Sequence, residues 1–252
     1  MRYVPDFCYV IFLSFCMSVL PLLALVNTEA LRSSDSVKGL RHDLSYELGW
    51  LSGDSVKHSF SGDYRLDYRH AGSEYLMILS RDYAKSNGLV SQDKGFVHLR
   101  RIKDLSSTLA YEGYIQDQFD RFINLKERLL YGLGLRFYLG KSTFKTFYLG
   151  CSLMNEHERY SNQADHEHLR LSNYVSFSYL LGSTFNYRHT TYYQVSTTDF
   201  QNYRLLSLQD LNLAFSPVIS LFLKLELRYD NQPFARIERF NSVLKQGLRL
   251  RF

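Results

Sequence analysis

Cysteine, proline and tryptophan are all scarce. The 252 residues hold 3 Cys, 4 Pro and 1 Trp. Two of the cysteines, Cys8 and Cys16, lie in the first twenty residues. If that stretch is removed, Cys151 is the single thiol left and no intramolecular disulfide is possible. Long apolar runs are missing too, apart from Val10 to Val26. With a mean hydropathy of −0.25, that excludes a bundle of membrane helices, each of which needs ~20 apolar residues. Charge of one sign is not in excess: the formal net charge is +5 and charged residues are 22%, too mild to signal nucleic acid or global disorder. What the chain does have is aromatic residues, 15% of the total, with 20 Tyr and 18 Phe. Tyr and Phe favour pleated, half-buried surfaces, so an all-β fold is the first expectation.

The N-terminus reads as an address. Arg2 precedes the apolar run, and the small residues Thr28 and Ala30 follow it. This pattern predicts a secretory signal over residues 1–30, with cleavage after Ala30. A short periplasmic segment is expected over 31–41, and the folded domain over 42–252. An exported domain of this size without disulfides needs another stabilising device, and closure of a hydrogen-bonded sheet is one.

From residue 42 the dominant signal is alternation. Leu129, Tyr131, Leu133, Leu135, Phe137 and Leu139 alternate with Arg128, Gly132, Gly134 and Arg136. Ile219, Leu221, Leu223, Leu225, Leu227 and Tyr229 alternate with Ser220, Lys224, Glu226, Arg228 and Asp230. Counting such segments predicts about twelve strands, at 42–52, 56–69, 74–84, 94–103, 107–117, 126–139, 144–154, 168–181, 184–195, 203–215, 219–230 and 241–252. The third, fourth and tenth carry the weakest alternation. Around Tyr75 to Leu79 both faces are apolar.

The connections discriminate between all-β classes. After a first hairpin at Gly53-Asp54, short links near 70–73, 103–106, 140–143, 181–183 and 216–218 alternate with longer polar ones near 85–93, 118–125, 155–167, 196–202 and 231–240. Short turns alternating with longer loops, between strands of ten or more residues, describe a closed antiparallel transmembrane β-barrel with short periplasmic turns and longer extracellular loops. A soluble sandwich also alternates, but its strands run nearer five or six residues. In a bilayer every backbone group must be paired, and only a closed sheet achieves that without an edge. Pro217 and Pro233 both fall in connections, as a hydrogen-bonded sheet requires.

The chain end supports the same class. Leu248, Leu250 and Phe252 share one face, and Lys245, Gly247, Arg249 and Arg251 the other. A final strand that stops on an aromatic residue resembles the signal read by the outer-membrane barrel-assembly machinery, the expected partner of the Phe252 strand. Aromatic residues gather near strand ends. Phe137, Phe144, Phe147, Phe177, Tyr179, Phe185, Tyr187 and Phe215 flank the short turns. Tyr83, Phe96, Phe119, Phe122, Tyr192, Tyr203, Tyr229 and Phe240 flank the long loops. Two interfacial girdles are expected from this distribution.

Four stretches are similar to a known family: the opening hairpin from Leu44 to Tyr68, Tyr131-Gly132-Leu133-Gly134-Leu135-Arg136, Arg170-Leu171-Ser172-Asn173-Tyr174 and Tyr229-Asp230-Asn231-Gln232-Pro233. On these the chain resembles the salt-induced outer-membrane proteins, an uncharacterised barrel family. The resemblance implies an outer-membrane barrel with no established activity and transfers no functional residue.

If the apolar faces meet lipid, the other faces line the interior. The acids expected inside are Asp43, Glu47, Asp63, Asp67, Glu112, Glu226 and Asp230. The bases expected there are Arg65, Arg69, Arg128, Arg136, Arg170, Arg188, Arg228, Arg249, Arg251, Lys224 and Lys245. Eleven bases against seven acids give a basic lumen, and a pore so lined would prefer anions. Twelve strands lie between the packed eight-stranded and the open sixteen-stranded cases, so plug and narrow pore are both open readings.

Chemistry-bearing clusters are few. A lipase-like barrel would place His189 beside a hydroxyl nucleophile on the lipid-facing side, and a protease-like one would use His157 with the acids around it. The stretch from Glu156 to His168 is the richest in metal-ligating side chains, but its spacing matches no defined zinc site, so a solvated loop is expected. Cys151 alternates with Leu149 and Leu153 and should face lipid as a small hydrophobe. Gly132-Leu133-Gly134 lies within a strand and forms no phosphate loop. The expectation is a monomeric barrel in the lipid bilayer of the outer membrane. It carries no catalytic, cofactor-binding or metal-ligating residue, takes no cofactor and does not bind nucleic acid. Its role is structural or that of a narrow pore. The alternative is a barrel hydrolase acting on envelope lipid or peptide.

Overall fold

The computed structural model describes residues 39–252, apart from 53–55, 143–144, 162–163, 183, 234–237 and 252. The expected leader over 1–30, residues 31–38 of the segment after it, the Gly53-Asp54 hairpin, Phe144 and Phe252 lie outside the described residues. Twelve antiparallel strands form one closed barrel. They are β1 (Gly39–Leu51), β2 (Lys57–His70), β3 (Ser73–Ser86), β4 (Leu89–Asp104), β5 (Leu109–Asp120), β6 (Leu125–Lys141), β7 (Lys145–Tyr160), β8 (His166–Leu181), β9 (Phe185–Ser196), β10 (Tyr203–Ala214), β11 (Ile219–Asp230) and β12 (Phe240–Arg251). Each strand pairs with its neighbours in sequence, and β1 meets β12 to close the ring. Every strand expected from alternation is present.

The period of two sorts the side chains as expected. On β6, Arg128 and Arg136 are buried while Tyr131, Leu133, Leu135, Phe137 and Leu139 are exposed. On β8, Arg170, Ser172, Tyr174, Ser176 and Ser178 are buried while Leu169, Leu171, Val175 and Phe177 are exposed. An apolar exterior over a polar interior inverts the soluble pattern, and it is the arrangement a bilayer imposes. Phe137, Phe147, Phe177 and Phe215 lie exposed toward the rim that carries the chain's ends, and Phe122 and Phe240 toward the opposite rim. Two aromatics expected in the girdles turn inward instead. Tyr192 is buried in an interior cluster, and Phe96 shares the inner face with its cross-strand partner Gln118.

The far-rim connections are shorter than alternation suggested. The link expected over 85–93 is the two-residue turn Asn87-Gly88, with φ of 49° and 80°. Positive φ at both central residues is the primed turn that matches strand twist. Similarly, β7 runs on to Tyr160 and β8 begins at His166. The Glu156–His168 stretch is therefore mostly strand, and the solvated loop expected there shrinks to residues 161–165. Polar residues read as loop in fact continue the barrel wall. Register shifts at Ala84/Lys85, Gln118/Asp120, Leu125/Glu127 and Tyr138/Gly140 fall near strand ends, where bulges let a rim twist.

Closure is uneven. β1 pairs with β2 from Gly39 to Leu51, and β12 pairs with β11 from Phe240 to Leu250. Among the described residues the seam between β1 and β12 has four paired positions, from Asp43↔Arg251 to Tyr46↔Leu248. Toward the far rim the ladder between these two strands ends at Tyr46↔Leu248.

Candidate functional site

Among the described residues, charge gathers chiefly in the interior. All the acids and bases expected inside occupy inner-face positions of the wall. Ten further charges join them: Glu74, Asp82, Asp120, Glu156, Glu158 and Asp210, with Arg41, Lys94, Arg100 and Arg204. Among the described residues this gives thirteen inner acids against fifteen bases, so the basic excess falls from four to two. The missed residues concentrate on β3, β4 and β10, whose alternation is weakest, and at the far end of β7.

Toward the far rim, Glu156 of β7 is fully buried and holds three guanidinium groups. Arg170 Nε donates to Glu156 Oε2 at 2.5 Å and Arg204 Nη1 to Oε1 at 2.6 Å. Arg128 pairs with the same carboxylate and reaches Glu158 Oε1 at 3.0 Å. Arg204 also donates through Nε to Asp230 Oδ2 at 2.7 Å. Three cations on three carboxylates leave little net charge, which is the condition for keeping them out of water.

Lower in the barrel, Glu112 of β5 accepts from Arg136 Nη2 at 2.7 Å and from Tyr174 Oη at 2.9 Å. Arg136 Nε donates in turn to Tyr174 Oη at 2.8 Å. Its guanidinium lies 4.7 Å from the centre of the Tyr148 ring. On the other side Asp210 takes Arg249 at 2.9 Å and Arg188 at 3.2 Å. Lysines bridge strands three places apart around the ring: Lys224 Nζ donates to Asp63 Oδ2 at 2.9 Å, and Lys245 Nζ to Asp82 Oδ1 at 2.5 Å.

Apolar side chains fill the spaces between these networks. Tyr148, Tyr174, Tyr192, Leu206 and Leu208 form a buried cluster, and Leu130 and Met154 are buried beside them. The void they leave measures about 20 Å³, room for one water molecule. It touches His98 on β4 and Leu206 on β10, which stand on opposite walls six strands apart. Side chains of opposite walls therefore border one small space at this level.

The outer wall holds the remaining candidates. His189 faces outward, stacked on Phe177 with ring centres 5.0 Å apart. Thr191 Oγ1 lies 2.9 Å from His189 Nε2, and Thr191 donates to Ser207 Oγ at 3.3 Å. The pair expected of a lipid-facing hydrolase is thus in contact, but among the described residues no carboxylate or amide orients the ring. Among the described residues His157 pairs with Asp165 alone, at 3.9 Å and in the open. Among the described residues no group of three or more His, Cys, Asp or Glu could hold a metal ion. Cys151 is free and exposed on the outer face.

This fold and this interior define a class, the transmembrane β-barrel of outer-membrane type. More particularly, the chain belongs to the family described as "Protein of unknown function, DUF481", which it matches over residues 45–252. Among solved structures it is similar to the NanC porin, at a TM-score of 0.50 and 9% identity, over 84% of this chain and 97% of that one. It is also similar to the KdgM porin, at a TM-score of 0.43 and 8% identity, over 84% and 96%. No curated protein matches it. At such identities the likeness is one of fold.

Proposed function

We propose that this protein is an outer-membrane barrel with a shut interior, an envelope structural protein and not a standing channel. The observation that carries this reading is the dryness of the wall charges. Glu112, Glu156, Arg128, Arg136, Arg170 and Asp210 are each at most 1% exposed. A water-filled pore leaves its lining ions hydrated, as in the wide porins. Here they are paired to each other, and aromatic side chains occupy the space between. The reading includes residence in the outer membrane with the mature ends in the periplasm, export by a leader over residues 1–30, assembly through the Phe252 strand, a monomeric state, no nucleic-acid partner and no catalytic activity.

Planar bilayers test it. The purified barrel should insert without steady conductance, and any residual current should favour anions weakly, given fifteen bases against thirteen acids. Sustained porin-sized steps from the unaltered protein would overturn the closed reading. The hydrolase reading has the His189–Thr191 contact in its favour. Phospholipid turnover that disappears in His189→Ala would establish it in place of the structural one.

A further inference from the structure

We propose that the outer wall over β3–β6 carries a binding site for a single glycerophospholipid, with its phosphodiester on Arg101 and an acyl chain in the adjoining groove. The sequence sets up the site on β4. Its outer face reads Asp93, Gly95, Val97, Leu99, Arg101, Lys103. Asp93 marks one edge of the apolar belt, paired with Arg81 and, at 3.0 Å, with Arg121. Eight residues farther on, Arg101 stands ~26 Å along the strand, or ~20 Å along the membrane normal at a tilt of ~40°. That falls ~5 Å short of the ~25 Å height of the apolar band, a gap that the long side chain spans by reaching toward the headgroups on the side of the chain's ends.

The neighbours of Arg101 leave room for a ligand. On β3 its cross-strand partner is Tyr75, and on β5 it is Gly113. Its guanidinium lies 5.5 Å from the Tyr75 ring centre and 5.9 Å from that of Tyr111. Arg101 makes no ion pair among the described residues. Gly113 supplies no side chain at the position beside it, and the end of the Leu133 side chain leans over the glycine, 2.9 Å from where a Cβ would stand. Arg101 and Gly113 border an outward groove of about 920 Å³, lined by Met77, Leu99, Ile115, Leu133 and Leu153. Its volume is within the ~300–1,000 Å³ usual for ligand sites. Lys103, on the same face and one step nearer the rim, donates to the Ala71 carbonyl at 2.7 Å and adds a second positive charge.

An apolar trough that ends on a cation between two tyrosines complements a molecule with an anionic head and an apolar tail. The tyrosines favour the interfacial level, and arginine engages phosphate oxygens through two parallel donors. A lysine would provide charge without that fork.

Native mass spectrometry of the detergent-extracted barrel tests the proposal, with phosphatidylglycerol, diacylglycerol of the same chains and inorganic phosphate as probes. The unaltered protein should retain one phosphatidylglycerol and neither of the other two. Arg101→Gln should weaken retention about tenfold, the loss of one charge-assisted contact. Gly113→Leu, which pushes the flexible end of Leu133 into the groove beside Arg101, should abolish it. Arg159→Gln, at the opposite rim, should leave it unchanged. Heat-dependent gel mobility shows that each variant has folded. Equal retention by the unaltered protein and Arg101→Gln, equal binding of diacylglycerol, or a dimer mass showing a second copy in the groove would each overturn the assignment. None of these readouts depends on conductance, so this site and the shut lumen stand or fall separately.

Discussion

Glu156 shows how little a side chain's type says about its setting. In the sequence it sits among His157, Glu158 and His166–His168, a run that reads as a solvated loop. In the barrel it is sealed from water under Arg128, Arg170 and Arg204. The signal that could have found it is alternation carried two steps past Met154, since Ser152, Met154, Glu156 and Glu158 continue one face. Removing one member of a buried ionic cluster leaves the others uncompensated, at a cost of ~3–5 kcal/mol. Glu156→Gln should therefore lower the midpoint of urea unfolding, followed by gel mobility, by that equivalent. Arg159→Ala breaks a pair with Glu127 at 2.8 Å whose side chains are 51% and 33% exposed, and solvent screening should hold its cost below ~1 kcal/mol. Equal effects from the two would mean that Glu156 is hydrated.

At the scale of elements, strand number and facing direction were legible because one polarity reversal every residue is hard to mistake over ten or more positions. Strand ends were not, because a wall that rises beyond the membrane becomes polar on both faces and imitates a loop. The turn itself was readable: Asn87-Gly88 is a strong two-residue hairpin signal, and Gly88 at φ 80° needs the freedom of glycine. Gly88→Ala should cost about 1 kcal/mol of stability on the same assay, whereas Asn87→Gly should be close to neutral. The seam between β1 and β12 permits a geometric test. Leu44 and Leu250 are directly paired, so cysteines placed there should oxidise to a disulfide, given Cα separations of ~4.5–5.5 Å between facing residues. Leu48→Cys with Gln246→Cys would be the equivalent pair two steps up a fully closed ladder. Because the ladder has ended there, that pair should stay reduced, and efficient cross-linking would show a seam closed to its far rim.

For the whole molecule, the sequence argued a basic lumen of undecided width, and two physical facts decide its character. Six acids hidden in weakly alternating or loop-like stretches bring the interior near neutrality, so its charges can pair with each other. Apolar residues on the inner face are invisible to a reading that assigns every apolar side chain to lipid. Tyr192, Leu206 and Met154 point inward for lack of any rule that a lumen must be polar throughout, and they give the interior a packed core. The closed state proposed above then has a definite weak point. Tyr174, Tyr192 and Leu206 all line the one-water void that also touches His98 of β4. Truncating Tyr192 and Leu206 together to Ala removes bulk without stripping a charge from its partner, since neither carries one. The double variant should keep its heat-dependent gel mobility and gain a measurable, weakly anion-preferring conductance in planar bilayers. Tyr174→Ala, by contrast, also removes a hydrogen bond from Glu112 and from Arg136, and should lose stability before it gains current. If the double variant folds and stays silent, the barrier must lie elsewhere along the axis. The lysine bridges to Asp63 and Asp82 would then be the next obstruction, because they cross the lumen where the aromatic cluster does not reach.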